Sequence, residues 1–222
     1  MKKKALIVSL IVLVLLACNA VTQVSNVVEE SGSTAKETRS APEFHSVELA
    51  GSADVDIRIG EEESVVVEAA ENILPLIEIN VRDDTLVIST KPGTQIITQN
   101  DVRVVVTMPS LESATISGSG NITMRDLHEQ FVAFRILGSG NITAIGAVES
   151  MDASIRGSGN IIAGDLVANT ATVQLPGSGN VTVYADESLT ATIGGSGTIR
   201  YLGDPVDVNT RVTGSGTISP AK

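Results

Sequence analysis

The chain has 222 residues, a formal net charge of −11, 42% hydrophobic residues and only 2% aromatic residues, with no tryptophan. That length suits one domain of ordinary size, and the acidic balance argues against nucleic acid as a partner, whose phosphates call for a basic patch. With so few aromatics a core has to be built from Val, Ile, Leu and Ala, which suit narrow, regularly stacked strand interiors.

Lys2, Lys3 and Lys4 precede an apolar run over residues 5–16 that only Ser9 interrupts. The run is short for a membrane span, which takes about 20 residues, and fits the apolar region of a secretory signal. It ends in Leu15-Leu16-Ala17-Cys18, which resembles the bacterial lipobox. Residues 1–17 are then a lipoprotein signal peptide, and Cys18, the single cysteine, is the lipidation site; an uncleaved anchor helix is the alternative. Each buried CH₂ of an acyl chain contributes about 0.8 kcal/mol of membrane affinity, so several chains hold firmly. Asn19 follows the cysteine, which favours the outer membrane or cell surface within the envelope. Residues 18–41, rich in Ser, Thr, Glu and Ala without a sustained period, are expected to form a lipidated flexible tether, and residues 42–222 a single repetitive domain.

That domain opens with Val47, Leu49, Gly51, Ala53, Val55 and Ile57 at alternate positions, a period of two that marks a half-buried strand. Further alternating strands follow at Val65/Val67/Ala69, Ile77/Ile79/Val81, Leu86/Ile88 and Val102/Val104/Val106, with turn signals at Asp83-Asp84 and Pro92-Gly93. No amphipathic helix is expected after residue 41. The strongest signal comes next: Gly-Ser-Gly begins at Gly118, Gly138, Gly157, Gly177, Gly195 and Gly214, at intervals of 18–20 residues. Two positions before each triplet stand Ile116, Ile136, Ile155, Leu175, Ile193 and Val212, and two after its last glycine Ile122, Ile142, Ile161, Val181, Ile199 and Ile218. Val132, Met151, Ala171, Leu189 and Val208 keep the same parity further upstream.

Each repeat therefore reads as a long alternating strand bent at Gly-x-Gly, plus a loop that absorbs the variation in length. The inward glycines mark a corner, a tight inner wall or a left-handed backbone, and Pro176 supports the corner because it has no N–H for a ladder. The segment from Val47 is a degraded earlier copy, with Ser52 in the serine place and Asp54 where later copies have Asn. One repeat cannot bury its own apolar face, so copies must stack. The expected fold is all-β: a β-helix-like solenoid of stacked repeats of about 19 residues, at about 4.8 Å per rung, with additional N-terminal strands.

The repeated Gly-Ser-Gly-Asn-Ile, the Phe44-His45-Ser46-Val47 opening and the strand at residues 104–109 resemble the head GIN domain family of auto-transporter adhesins. The resemblance spans about residues 43–219 and implies an all-β, β-helix-like domain in the bacterial envelope, with no catalytic residues to carry over. Thr198 and Thr217 stand where the earlier copies have Asn.

The outward serines and asparagines, Ser119, Asn121, Ser139, Asn141, Ser158, Asn160, Ser178 and Asn180, are the candidate ligand face. The competing reading is a structural ladder of amides that satisfy one another. The triplets lack the regular Asp of calcium-binding repeats, so no metal is expected. Asn121, Asn141 and Asn180 fall in glycosylation sequons, more simply read as part of the repeat. His45, near a strand edge, and His128, in a loop, show no metal-ligand spacing, and no serine lies in a nucleophile elbow. The reading is a non-enzymatic, lipid-anchored envelope protein for surface adhesion or structure, with no cofactor and an unidentified glycan or protein ligand. The alternatives are a polysaccharide-processing β-helix enzyme, recognisable by a cleft with two carboxylates and a basic residue, and a scaffold or sensor that docks partners through an open solenoid end. A weakly capped last rung also raises end-to-end homodimerisation.

Overall fold

The structure, a computed structural model, describes residues 26–98 and 102–221. The signal peptide and Cys18 lie outside the described residues. In chain order the strands are β1 (Asn26–Glu29), β2 (Thr34–Arg39), β3 (Ser46–Leu49), β4 (Asp54–Ile59), β5 (Ser64–Ala70), β6 (Ile77–Arg82), β7 (Thr85–Thr90), β8 (Thr94–Ile97), β9 (Arg103–Met108) and β10 (Ser113–Ile116). Then come the long strands β11 (Asn121–Ile136), β12 (Asn141–Ile155), β13 (Asn160–Leu175) and β14 (Asn180–Ile193), followed by β15 (Thr198–Leu202), β16 (Asp207–Val212) and β17 (Thr217–Pro220). A single 3₁₀ turn, Leu74–Leu76, is the only helical element among the described residues.

The repeats form a parallel solenoid. Asn121 pairs with Asn141, Asn141 with Asn160, and Asn160 with Asn180, so equivalent residues lie directly over one another. Each long strand crosses from one face of the solenoid to the other. On the first face the order is β2-β5-β9-β4, then the leading halves of β11 to β14, then β15 and β17; on the second it is β6-β7-β3-β10, then the trailing halves, then β16. Ile122, Ile142, Ile161, Val181 and Ile199 fill the interior from the first face and Ile136, Ile155, Leu175 and Ile193 from the second, all fully buried. Among the described residues no polar or charged residue is buried.

Chain order and stacking order differ at the start. The degraded copy, β3 and β4, supports the first full repeat: Ala114 pairs with Val47, Ile116 with Leu49 and Ile122 with Val55. On its other side β3 rests on β7 and β4 on β9. The antiparallel strands β2, β5 and β6 close this end. The Asp83-Asp84 turn is the expected hairpin, and both residues are left-handed, with φ of 47° and 62°, the conformation that a two-residue hairpin loop requires.

Glycine is demanded at the corners by close approach, since no Gly-Ser-Gly glycine has a positive φ. A Cβ on Gly138 would lie 1.8 Å from the Gly118 carbonyl oxygen, and one on Gly157 1.8 Å from that of Gly138. The ladder runs through the corner, where the Ser139 N–H donates to Gly118 C=O at 3.0 Å and the Ser158 N–H to Gly138 C=O at 3.0 Å. At Pro176, which has no N–H, Gly177 N–H bonds to Ile155 C=O at 3.0 Å instead.

The rest of each repeat differs from the expected loop. The strand continues through that region and bends there, with register shifts between Met124 and Leu127, Thr143 and Ile145, and Ala163 and Val167. These bulges absorb the variation in repeat length, as bulges do by adding residues without turning the inward set outward. His128 accordingly lies in β11 rather than a loop, beside the left-handed Asp126 (φ 58°).

Two further differences concern the ends. Within the segment expected as tether, β1 pairs with β8 and β2 with β5, while Val28, Ala35 and Ala41 pack against the core. Exposed edge strands carry little apolar alternation, so they read as polar linker. Val208 and Val212 keep inward parity over Leu189 and Ile193 yet are 43% and 45% exposed, because no strand covers them among the described residues.

Two neighbouring glycines test the corner. Gly195→Ala would place its Cβ 1.7 Å from the Gly177 carbonyl oxygen, whereas Gly194→Ala meets nothing nearer than the Pro176 Cα at 3.6 Å. Gly195→Ala is expected to cost about 3 kcal/mol, and Gly194→Ala less than about 0.5 kcal/mol, measured by urea denaturation. Equal costs would refute the close-approach account.

Candidate functional site

The outward asparagines form one continuous hydrogen-bonded column. Asn180 Nδ2 donates to Asn160 Oδ1 at 2.9 Å, Asn160 to Asn141 at 2.7 Å, and Asn141 to Asn121 at 2.8 Å. Asn121 Nδ2 donates to Asp54 Oδ1 at 2.8 Å. The column has a direction, and it ends on a carboxylate, which can only accept. Asn121, Asn141 and Asn160 each commit one N–H and one lone pair to the column, and Asn180 one N–H, leaving the remaining donors and acceptors for solvent or ligand. The serines Ser119, Ser139, Ser158 and Ser178 lie on the corner beside it, at the solvent-facing surface. The candidate residues therefore make two parallel rows.

An open depression of about 800 Å³ lies on this face, where the N-terminal strands meet the first repeats. Asn121, Asn141, Thr123, Thr143 and Ile162 line its floor, with Asp54, Asp56 and Arg103 at one end and Thr34 and Glu68 beyond them. Arg103 donates through Nε to Asp56 Oδ2 at 2.7 Å, with a second, shorter contact from Nη2. That hydrogen bond, then the Asp56 charge, holds Arg103 still more firmly protonated than usual. The depression contains three carboxylates and a basic residue as well as an Asn/Thr face, but each carboxylate is already engaged: Asp54 accepts from Asn121, Asp56 from Arg103, and Glu68 pairs with Lys36 at 3.2 Å.

A second depression, of about 280 Å³, shares Asp56, Arg103 and Thr123 with the first and adds Arg58, Arg125 and Asp126. Arg58 and Arg125 are register partners on adjacent strands, both exposed and without an ion-pair partner among the described residues. Like charges opposite one another across strands are destabilising. Sequence reading missed this pair because Arg58 and Arg125 are 67 positions apart and become neighbours only when the degraded copy stacks on the first repeat.

The histidines lie elsewhere. His45 Nδ1 is 3.0 Å from Asp84 Oδ2, and His128 Nδ1 is 3.0 Å from the Asp126 carbonyl oxygen. No group of three or more His, Cys, Asp or Glu among the described residues could hold a metal ion.

This fold defines the chain as a repetitive β-solenoid domain. Residues 43–205 match the family described as "Putative auto-transporter adhesin, head GIN domain", and the chain belongs to that family. Among solved structures it is similar to one described as a putative adhesin from Bacteroides fragilis, with a TM-score of 0.72, 22% identity, and coverage of 87% of this chain and 100% of that one. It is also similar to a putative lipid binding protein from Parabacteroides distasonis, with a TM-score of 0.58, 23% identity, and coverage of 89% and 100%. A putative adhesin from Parabacteroides merdae gives a TM-score of 0.52 at 20% identity, covering 89% and 100%. Comparison with curated proteins gives no match.

The column's direction is testable. Asn141→Asp retains an acceptor for Asn160 but sets a carboxylate against the Asn121 carbonyl oxygen, and is expected to cost about 1–2 kcal/mol. Asp54→Asn keeps the acceptor for Asn121 and is expected to cost less than about 1 kcal/mol. Denaturation midpoints in the reverse order would show that the column does not run as described.

The Asp84 hydrogen bond raises the His45 pKa above 6.5; desolvation opposes it, while the charges of Asp84, Glu43 and Glu112 add to it. The pair's stabilising contribution is therefore fully present below pH 6.5 and is lost as pH rises through the raised value. Asp84→Asn, which tolerates the left-handed turn, is expected to move the His45 NMR titration midpoint back toward 6.5. An unmoved midpoint would exclude Asp84 as the cause.

Proposed function

We propose that this chain is a lipid-anchored, non-enzymatic binding protein of the bacterial envelope, and that its first solenoid face holds an acidic, hydroxyl-rich glycan. The observation that carries the reading is the Arg58/Arg125 stack, without an ion-pair partner among the described residues, at the end of a face of Asn and Thr side chains. Hydroxyls suit the free amide donors and acceptors, and a carboxylate or sulfate bridging two guanidiniums removes their mutual repulsion. The chain is strongly acidic overall, so two adjacent arginines that pair with neither Asp56 nor Asp126 on the same depression call for an explanation. Glu61, Glu62 and Glu63 follow β4 in the next turn and make no ion pair with Arg58 among the described residues.

Family membership supports a surface role, and two of the similar structures are described as adhesins. The similar lipid binding protein suggests another ligand. A cavity between Leu49, Ile77, Ile88 and Val102 has only about 50 Å³, far below the ~300–1,000 Å³ of small-molecule sites. Buried acyl chains therefore fit poorly, and a polar ligand on the open face fits better. The Cys18 lipid would hold the domain at the bilayer surface.

A second reading, polysaccharide cleavage, is favoured by Asp54, Asp56 and Arg103 on one depression. Against it, both aspartates are engaged as acceptors and Glu68, the third carboxylate there, pairs with Lys36, whereas glycoside cleavage needs one carboxyl free to deliver a proton.

The test is a glycan array probed with the full chain in detergent, spanning neutral, uronic-acid and sulfated glycans. Acidic glycans are expected to bind in a salt-sensitive way, and Arg58→Ala with Arg125→Ala to weaken binding at least about tenfold, given about 1.5–3 kcal/mol for each charged hydrogen bond. Equal binding of neutral glycans, or an unaffected double variant, would overturn the proposal. New reducing ends on the bound glycan would establish the enzyme instead.

A further inference from the structure

The two ends of the solenoid are finished differently. At the N-terminal end the outermost strands carry charges: Lys36, Glu37 and Arg39 on β2, and Glu78 and Arg82 on β6. Charged edge strands resist pairing with another chain. At the other end β16 is exposed along its whole length, and Val206, just before it, is 95% exposed. The Thr213 N–H points back to Ile193 C=O. By strand alternation, residues 207, 209 and 211 also address β14, and Val206, Val208, Thr210 and Val212 turn their backbone groups to the free side. β17 offers less, because Pro220 has no N–H.

We propose that this end is covered by a second copy of the chain, through antiparallel pairing of β16 with its twofold mate centred on Asn209. Of the registers that keep the inward parity and use the free backbone groups, two are centred at the middle of β16. One, centred on Thr210, sets Asn209 opposite Arg211 and leaves Asp207 opposite Thr213. The other, centred on Asn209, sets Asp207 opposite Arg211 twice over, on the solvent side, with Val206 against Val212 and Val208 against Thr210 on the core side. Charge complementarity selects the second. The pairing is isologous and closes at two copies, and the charged N-terminal edges disfavour the head-to-tail contact that would give fibres. It is independent of the glycan reading, since β16 lies on the opposite face from the Asn column.

The test is sedimentation equilibrium of the full chain in density-matched detergent. The wild type is expected to show a monomer–dimer equilibrium and no larger species. Arg211→Asp sets like charges opposite one another and is expected to lose the dimer; Asp207→Arg with Arg211→Asp restores complementarity and should regain it. Both residues are exposed, and circular dichroism confirms that each variant is folded. In the proposed register Asn209 faces itself in a non-hydrogen-bonded pair, with Cα atoms about 4.5 Å apart, within the disulfide range of about 4.4–6.8 Å. Asn209→Cys should therefore give a disulfide-linked dimer on a non-reducing gel, and Asp207→Cys should not. Monomer at every concentration, larger oligomers, or a dimer indifferent to the charge changes would each overturn the proposal, the last by placing association on the lipid or another surface.

Discussion

The whole solenoid depends on how closely one corner approaches the next. Successive Gly-Ser-Gly corners stack with carbonyl oxygens about where a side chain would begin, 1.7–2.3 Å from an ideal Cβ. That approach lets the backbone ladder pass through the corner without a break, so the parallel register never resets between faces. Once the register is fixed at the corner, the alternation carries it outward along both strands. Ile then lies over Ile in the core, and Asn over Asn on the surface. A larger residue would push neighbouring rungs apart locally, and the register is propagated only by nearest neighbours.

The degraded first copy follows the same rule. Ala53 occupies the place of the second glycine because the rung beneath it is not another such corner: β3 rests on β7 and β4 on β9. Asp54 replaces Asn at the point where the amide column needs only an acceptor. Both departures look like decay in the sequence. In the structure they are what the first rung of a stack requires.

Much of this is legible in the sequence. The period, the parity and the corner can be read from six triplets, because stacked repeats translate spatial neighbours into a fixed sequence interval. The Asp83-Asp84 hairpin is legible from its turn chemistry. What cannot be read is whatever breaks that interval. β1 and β2 are polar edge strands and resemble linker. The insertion of β3 between β7 and β10 and of β4 between β9 and β11 reorders the chain, so Arg58 meets Arg125 across 67 positions with no local signal. The bends inside β11 to β14 look like loops because bulges disturb the alternation while preserving the strand. The exposure of Val208 and Val212 depends on what covers them, which their own parity does not encode.

The same regularity shapes what the surface can do. Catalysis needs unlike groups converging on one point, whereas a stacked repeat multiplies like groups along a line. On this face the departures from repetition are concentrated where the N-terminal strands join the stack: Arg103 paired to Asp56, Asp54 receiving the column, and Arg58 beneath Arg125. Chemical distinction is therefore available at that junction, and uniform, spaced hydrogen bonding beyond it. Such a surface suits a ligand that is itself repetitive and polar with a charged group in register, read by one end of the face and held along the rest. It is a poor design for a compact apolar ligand, since the interior that would have to receive one is filled by its own stacked isoleucines and valines.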